Sequence, residues 1–376
     1  MTEIEISNSE TEELRDLRNE DYGAITALAR ISFPVSQSRF VVPGEAGGKV
    51  VTINGNLAAV SLLRIIDLPS GRRTGFIAWL MTHPDYRRRG LAGKLVKAST
   101  AQLRAQKCDD IVTDVEGYNS GSANVFFGAD YRRLSLWQQL KRWNPVDMIW
   151  LWIRTGFAVD PGHFLWVFRG QNERVRPWIR RFCAVFLNTF LGVLAFSLGG
   201  GIILSGSSSV PTVLIAVAFL AGTSTLLAAR EIGMRMLSWF YKQPLEYRAW
   251  SGGWAMSLLI AIGFGRTLPL PGNFYPPGDG WSTRHFQALL GQGAMVSTLF
   301  VACLIILGSF ISATGANELL SRFAMALVFV GKPLLVFDTL VAVAPFEGFN
   351  GRHLRDYNRL IWLALSAVAV IIFIWA

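Results

Sequence analysis

Apolar patterning divides this chain into two regimes that meet near residue 180. In the first, short apolar runs alternate with turn signals. After a polar tail over residues 1–12, Leu14–Arg18 reads as a strand. Asn19-Glu20-Asp21 is a helix-start signal with acids in the first turn. Ile25, Leu28, Ala29 and Phe33 then give an apolar stripe at helical spacing, which Pro34 stops. Ser36–Glu45 reads as a loop that helps shape a substrate entrance. Lys49–Ile53 and Leu57–Ile66, joined through Asn54-Gly55-Asn56, predict a β-hairpin. A turn at Ser70-Gly71-Arg72-Arg73 leads to Phe76–Thr82, an apolar run with the character of a buried strand, ended by Pro84. A helix from Leu91 to about Gln106, a strand at Ile111–Val115, a helix at Ser122–Phe127 and a last strand within Tyr131–Gln138 complete the order β-α-β-β-β-α-β-α-β.

The second regime is longer-wavelength. Phe182–Leu204, Val210–Ala229, Trp254–Leu268, Ala288–Ala313, Phe323–Val343 and Leu360–Ala376 are apolar stretches near the ~20 residues a bilayer crossing needs, the third being short. Between the regimes lie Trp143, Trp150, Trp152, Trp166 and Trp178, interspersed with Arg154, Arg169, Arg174, Arg176, Arg180 and Arg181. Rings beside basic residues suit a lipid headgroup layer, and Met148–Phe157 can form an amphipathic interfacial helix. The competing reading is a β-hairpin extension of the first domain. The expected organisation is a globular domain over 1–140, a Trp/Arg-rich linker over 141–181 and an all-α, multi-span membrane domain over 182–376.

Composition sharpens this. Of 376 residues, 51% are hydrophobic, too many for an ordinary soluble enzyme. The net charge of +10 is better placed on membrane flanks than on nucleic acid, because arginines precede the first span. That same lead predicts a cytoplasmic N-terminal domain. The start, MTEIEISNSETEEL, lacks the apolar segment of a signal peptide. Cys108, Cys183 and Cys303 are too scattered for a disulfide framework or a Cys-based zinc site. With six full spans, the arginine-bearing loop Glu347–Arg359 falls outside, against the charge rule. A break at Gly331-Lys332-Pro333 would resolve the conflict.

Candidate chemistry concentrates after the strand ending at Thr82. Arg87, Arg88 and Arg89 lead into Gly90-Leu91-Ala92-Gly93 and then a helix beginning near Lys94. The first amides of a helix lack internal partners and lie at its positive pole, and small residues let an anion approach them. A diphosphate fits such a cradle.

Arg87-x-x-Gly90-x-Ala92, following an apolar strand and His-Pro, resembles the acetyl-CoA signature of the GNAT superfamily of N-acetyltransferases. The element order across Leu14–Gln138 resembles that family too. The resemblance implies an α/β (α+β) acyl-CoA acetyltransferase fold with a mixed sheet. It implies acetyl-CoA as co-substrate, an amine acceptor, and cofactor contacts from Met81, Thr82, Arg87, Arg88, Arg89, Gly90, Leu91, Ala92, Gly93, Lys94 and Asn119. Met81 and Thr82 would pair with the pantetheine arm. Glu116 is the first candidate general base and Asp114 the second. Phe127 stands where the family often has a proton-donating Tyr, which leaves Tyr118 or Tyr131 as substitutes. An acetyltransferase and a catalytically weak acetyl-CoA sensor are both compatible with this set.

A second resemblance covers Val210–Ala376. Ala229–Arg235 with Tyr247–Trp250, and later Pro345–His353, resemble metal-binding segments of archaeal site-2 proteases. Arg230 and Met234 stand where that family has histidines, and Asn350 or Glu347 takes the third position. Charged arginine has no lone pair to give a metal. The expectation is a membrane scaffold of that kind without zinc, with Glu231 in an ion pair beside Arg230.

Overall fold

The computed structural model describes residues 10–42, 46–171, 177–199, 212–278, 281–314, 317–342, 346 and 348–375. The predicted loop end at 43–45, residues 200–211, Arg174, Arg176 and Glu347 lie outside them. The chain forms two compact units. The first comprises Met1–Asp114, Ser122–Thr155 and Leu165–Asn172; the second comprises Val115–Gly121, Gly156–Phe164 and Glu173–Ala376.

The first unit is built on a mixed α/β sheet. Its strands are β1 (Glu12–Asp16), β2 (Gly48–Ile53), β3 (Asn56–Asp67), β4 (Arg73–Thr82), β5 (Asp110–Glu116), β6 (Tyr131–Arg133) and β7 (His163–Phe168). They lie in the order β1-β2-β3-β4-β5-β7-β6. β1 to β4 form an antiparallel meander, β5 joins β4 in parallel, and β6 pairs β7 antiparallel. The hairpin between β2 and β3 turns at Asn54 and Gly55, both at positive φ, as an Asn-Gly turn requires.

Helices α1 (Tyr22–Ser32), α2 (Val35–Ser38), α3 (Leu91–Ala105), α4 (Ser120–Gly128), α5 (Leu136–Arg142) and α6 (Pro145–Thr155) alternate with or follow the strands. α1 buries Ile25, Leu28 and Ala29 against Val50, Val60, Leu62 and Met81. α3 buries Leu91 and Leu95 against Val51, Ile53, Ala58 and Ala59. Both stripes carry helical spacing in the sequence, so these contacts follow from pattern.

The predicted linker turns out differently. It supplies α6 and β7, and β7 lies inside the sheet between β5 and β6. Trp143 and Trp152 are buried, their indole N–H groups donating to Asp110 (2.9 Å) and Gln139 (2.8 Å). A buried tryptophan with a bonded N–H is a core residue rather than a headgroup anchor. α6 nevertheless keeps an exposed apolar stripe of Val146, Ile149, Trp150 and Ile153.

The second unit is helical. Its helices are α7 (Pro177–Leu198), α8 (Thr212–Phe240), α9 (Trp254–Phe264), α10 (Thr283–Ala313), α11 (Glu318–Thr339), α12 (Asn350–Tyr357) and α13 (Arg359–Trp375). A small antiparallel pair, β8 (Glu246–Arg248) and β9 (Asn273–Tyr275), is inserted among them. The core joins Phe219 and Leu226 of α8, Val301 and Ile305 of α10, Leu327 and Val330 of α11, and Ile372 of α13. Among the described residues, Trp178–Leu198, Thr283–Ala313 and Glu318–Thr339 are long and apolar enough to cross a membrane. Trp254–Phe264 and Arg359–Trp375 are apolar but shorter. The break predicted at Gly331-Lys332-Pro333 is absent: α11 runs through Pro333 to Thr339. Proline forgoes one backbone bond, and packing on both neighbours holds the helix.

Candidate functional site

Three features of the first unit converge at the end of β4. β3 pairs with β4 along its whole length, from Asp67↔Arg73 to Ala59↔Thr82. Between Leu62↔Trp79 and Leu63↔Ile77 the register slips, leaving Ala78 as an extra residue on β4. Such a bulge bends a strand and increases its twist. On the other side, the ladder to β5 holds only Thr74↔Asp110, Gly75↔Ile111 and Phe76↔Val112. The Thr113 hydroxyl donates to the Ile77 carbonyl at 3.0 Å. Past that point, among the described residues, no β5 ladder pair follows. Residues 79–82 stay paired with β3, and the edge of β4 turned away from β3 has, among the described residues, no β5 partner past Phe76. Unpaired strand backbone is a ready template for an extended amide chain.

After β4, a 3₁₀ turn at Pro84–Tyr86 leads into Arg87–Gly90 and α3. Arg88 (φ 65°) and Gly90 (φ 78°) are left-handed. Alternation of hand turns successive amides toward one concavity, a nest for anions. Gly90 caps α3, so the amides of Leu91, Ala92 and Gly93 have no helical carbonyl to bond. A Cβ built on Gly90 or Gly93 meets nothing within 4 Å, so the space above both is open. Arg87, Arg88, Arg89 and Lys94 are exposed around it. Arg87 donates from Nε to the Thr82 carbonyl (3.3 Å), tying the loop to the strand end. Arg89 pairs with Glu10 and Lys94 with Glu12 (2.5 Å).

The candidate proton-transfer groups are distributed otherwise. Glu116 ends β5, Tyr118 and Asn119 follow it, and all three belong to the second unit. Glu116 is buried; its Oε1 accepts from the Tyr118 amide (2.9 Å) and its Oε2 from Arg352 (3.0 Å). The Tyr118 hydroxyl donates to the Phe274 carbonyl (2.7 Å), and its ring stacks on Tyr275 (4.3 Å) and meets His353 edge-on (4.2 Å). Burial, then Tyr275 and Glu116, hold its pKa well above the usual phenol value. Asn119 is exposed. Tyr131 is wholly buried in the first unit and shares a hydrogen bond with Thr100 (2.7 Å); burial again raises its pKa. Phe127 is exposed beneath the Arg132 guanidinium. Asp114 is half-buried. Arg352 was not expected here, since nothing local marks a partner 236 positions from Glu116.

In the second unit, Arg230 of α8 donates from Nε (2.6 Å) and Nη2 (3.0 Å) to Asp338 of α11, and from Nη1 to the Gly272 carbonyl (2.7 Å). The Asn350 amide donates to the same carboxylate (3.3 Å), while its side-chain oxygen accepts from Asn273 (3.1 Å). Met234 is buried. Glu231 pairs with Arg235 (3.2 Å) and Arg181 (3.3 Å). A zinc ion does not fit these donors, because the position is filled by a guanidinium that saturates the carboxylate.

Residues 11–129 match the family model described as the acetyltransferase (GNAT) family. A segment of 63 residues is 32% identical to N-alpha-acetyltransferase 30 of Saccharomyces cerevisiae, covering 17% of this chain and 36% of that protein. The chain thus spans about a third of the curated relative it matches. Among solved structures, the NatC complex bound to Gag peptide and CoA aligns at 17% identity and TM-score 0.31, over 43% of this chain and 99% of that one. The ribosomal-protein-S18-alanine N-acetyltransferase of Escherichia coli aligns at 16% identity and TM-score 0.31, over 44% and 99%. With its meander, parted β4 and β5, and amide nest before α3, the stretch over residues 11–129 is similar to the acetyltransferase (GNAT) family.

Proposed function

We propose that this chain is a membrane-anchored N-acetyltransferase. Acetyl-CoA lies with its diphosphate on the loop Arg87–Lys94 and its pantetheine arm along the β4 edge at Met81 and Thr82; Asn119 belongs to the same contact set. The observation that carries the reading is the pairing of two features in one stretch of chain: β4 loses β5 after Phe76, and α3 opens with free amides at Gly90. Strand backbone and helix amides offer what a long acyl carrier with a diphosphate head requires.

The transfer forms an amide bond to the acceptor amine and releases the CoA thiol, so a proton must leave the amine and reach the thiolate. Glu116 is the candidate base, with Asp114 second. The hydroxyls of Tyr118 and Tyr131 are both engaged in hydrogen bonds, which assigns most of the rate to holding the reactants together. The yeast relative's name concerns an N-terminal α-amine, which makes a peptide N-terminus the first acceptor to test. The exposed apolar residues of α7, α10 and α13, such as Phe186, Phe310 and Ile374, support a bilayer as their solvent. The arginine-rich lead supports a cytoplasmic first unit.

The same engaged tyrosines and Phe127 favour a second reading, an acetyl-CoA sensor with little turnover. Acetyl-CoA binding and CoA release by the purified full chain, offered an α-amine peptide panel, separate the two. Binding with turnover supports transfer, binding without it supports the sensor, and no binding removes both.

A further inference from the structure

A cleft of about 380 Å³ in the second unit is lined by Tyr118, Thr283, Arg284, Gln287, Leu290, Arg352, His353, Arg355, Asp356 and Arg359. Its charge is lopsided: four arginines face one carboxylate. Arg352 and Arg355 lie three residues apart on α12 and so share a side, and Arg359 opens α13 after an extended break at Asn358. Arg284 comes from the first turn of α10.

The carboxylates nearby are already engaged. Glu116 pairs with Arg352, and Asp356 with Arg355 (3.1 Å) and more distantly with Arg352 (3.7 Å). Among the described residues, Arg284 and Arg359 have neither an ion pair nor a hydrogen bond, and both are exposed. Two helices, α10 and α13, begin at the cleft; the first amides of α13 donate to Asn358, whereas α10 has no side-chain cap. His353 is 6% exposed and its Nε2 has no hydrogen-bond partner. Two unpaired guanidiniums, the uncapped amino end of α10 and an orphaned imidazole nitrogen together outweigh what a chance basic patch collects.

We infer that this cleft, built from residues of the second unit alone, is a binding site for a phosphate group. Arg284 and Arg359 grip the oxygens from two sides, and Arg352, held by Glu116, and Arg355, held by Asp356, close the ring. The phosphate belongs either to a lipid headgroup or to a soluble phosphate ester; the chemistry recognised is the same.

The full chain is placed in phosphatidylcholine nanodiscs and titrated with inorganic phosphate, and in a parallel arm is placed in nanodiscs containing phosphatidic acid, with thermal midpoint and calorimetric affinity as readouts. The same measurements are made on Arg284→Gln/Arg359→Gln and on Arg284→Lys/Arg359→Lys. Both residues are exposed, so neither variant threatens the fold. Losing two charge-assisted contacts should weaken binding by ~10-fold or more in the glutamine variant, with partial retention in the lysine variant. Response in both arms, or in the phosphate arm alone, identifies a soluble ester; response to phosphatidic acid alone identifies a lipid. A Gly90→Val background removes any contribution from the coenzyme loop, and the cleft's response should survive it. No response in either arm, or an equal response from the glutamine variant, overturns the proposal.

Discussion

Gly90 stands at φ 78° with open space where a side chain would project. Valine there would cost about 1–2 kcal/mol in backbone strain, and its branches would enter the space assigned to the diphosphate. The expected outcome for Gly90→Val is a folded protein whose acetyl-CoA affinity falls by ~10-fold or more, read by calorimetry. His353 offers a second test at this scale. Burial, and then the charges of Arg352 and Arg230, push its pKa down from the ordinary 6.5 to about 3. In the unfolded chain the imidazole takes a proton below 6.5; in the folded chain it does not until near 3. Below 6.5 the unfolded state binds more protons, so stability is lost as pH falls through that window. The thermal midpoint of the native chain should therefore drop more steeply on acidification than that of His353→Asn, and equal slopes would contradict this.

Among elements, α8 and α11 are tied by Arg230 and Asp338, side chains that are 3% exposed each. Arg230→Met strands a buried carboxylate and should destabilise by about 3–5 kcal/mol. Arg230→Met combined with Asp338→Leu should recover most of that loss, because no charge remains to be compensated; denaturation of the three proteins in detergent measures it. What was legible in the sequence at this scale depended on locality. The stripe of α1, the Asn-Gly hairpin and the strand–loop–helix around Gly90 are each written within some fifteen positions, and these formed as expected. β7 was misplaced because its aromatic content and neighbouring arginines resemble a headgroup layer, although Phe164, Leu165, Trp166 and Val167 are all buried. A strand buried on both faces loses the alternation that would have marked it. The bulge at Ala78 and the engagement of Glu116 by Arg352 depend on partners remote in sequence, and no local signal encodes them.

At the scale of the whole molecule, three helices among the described residues meet the length and apolarity of a crossing. If they cross, the native chain should stay with the membrane through alkaline carbonate and high salt and be released only by detergent; release by carbonate would contradict anchoring. The two units are also interleaved along the chain rather than placed end to end. The first is interrupted twice, by Val115–Gly121 and Gly156–Phe164, which pack with the helical unit. The boundary expected near residue 140 would leave β7 out of its own sheet.

That interleaving has a consequence for how the protein is made. Tyr118 reaches its resting place only against Phe274, Tyr275 and His353, and the adjacent Gly117 leaves no room for a Cβ beside the Tyr275 ring. A nascent chain emerging from the ribosome thus carries an unfinished β5 end until more than half of the later residues have been translated. Ribosomes that stall or terminate early would release a product whose β5 end is still unpacked.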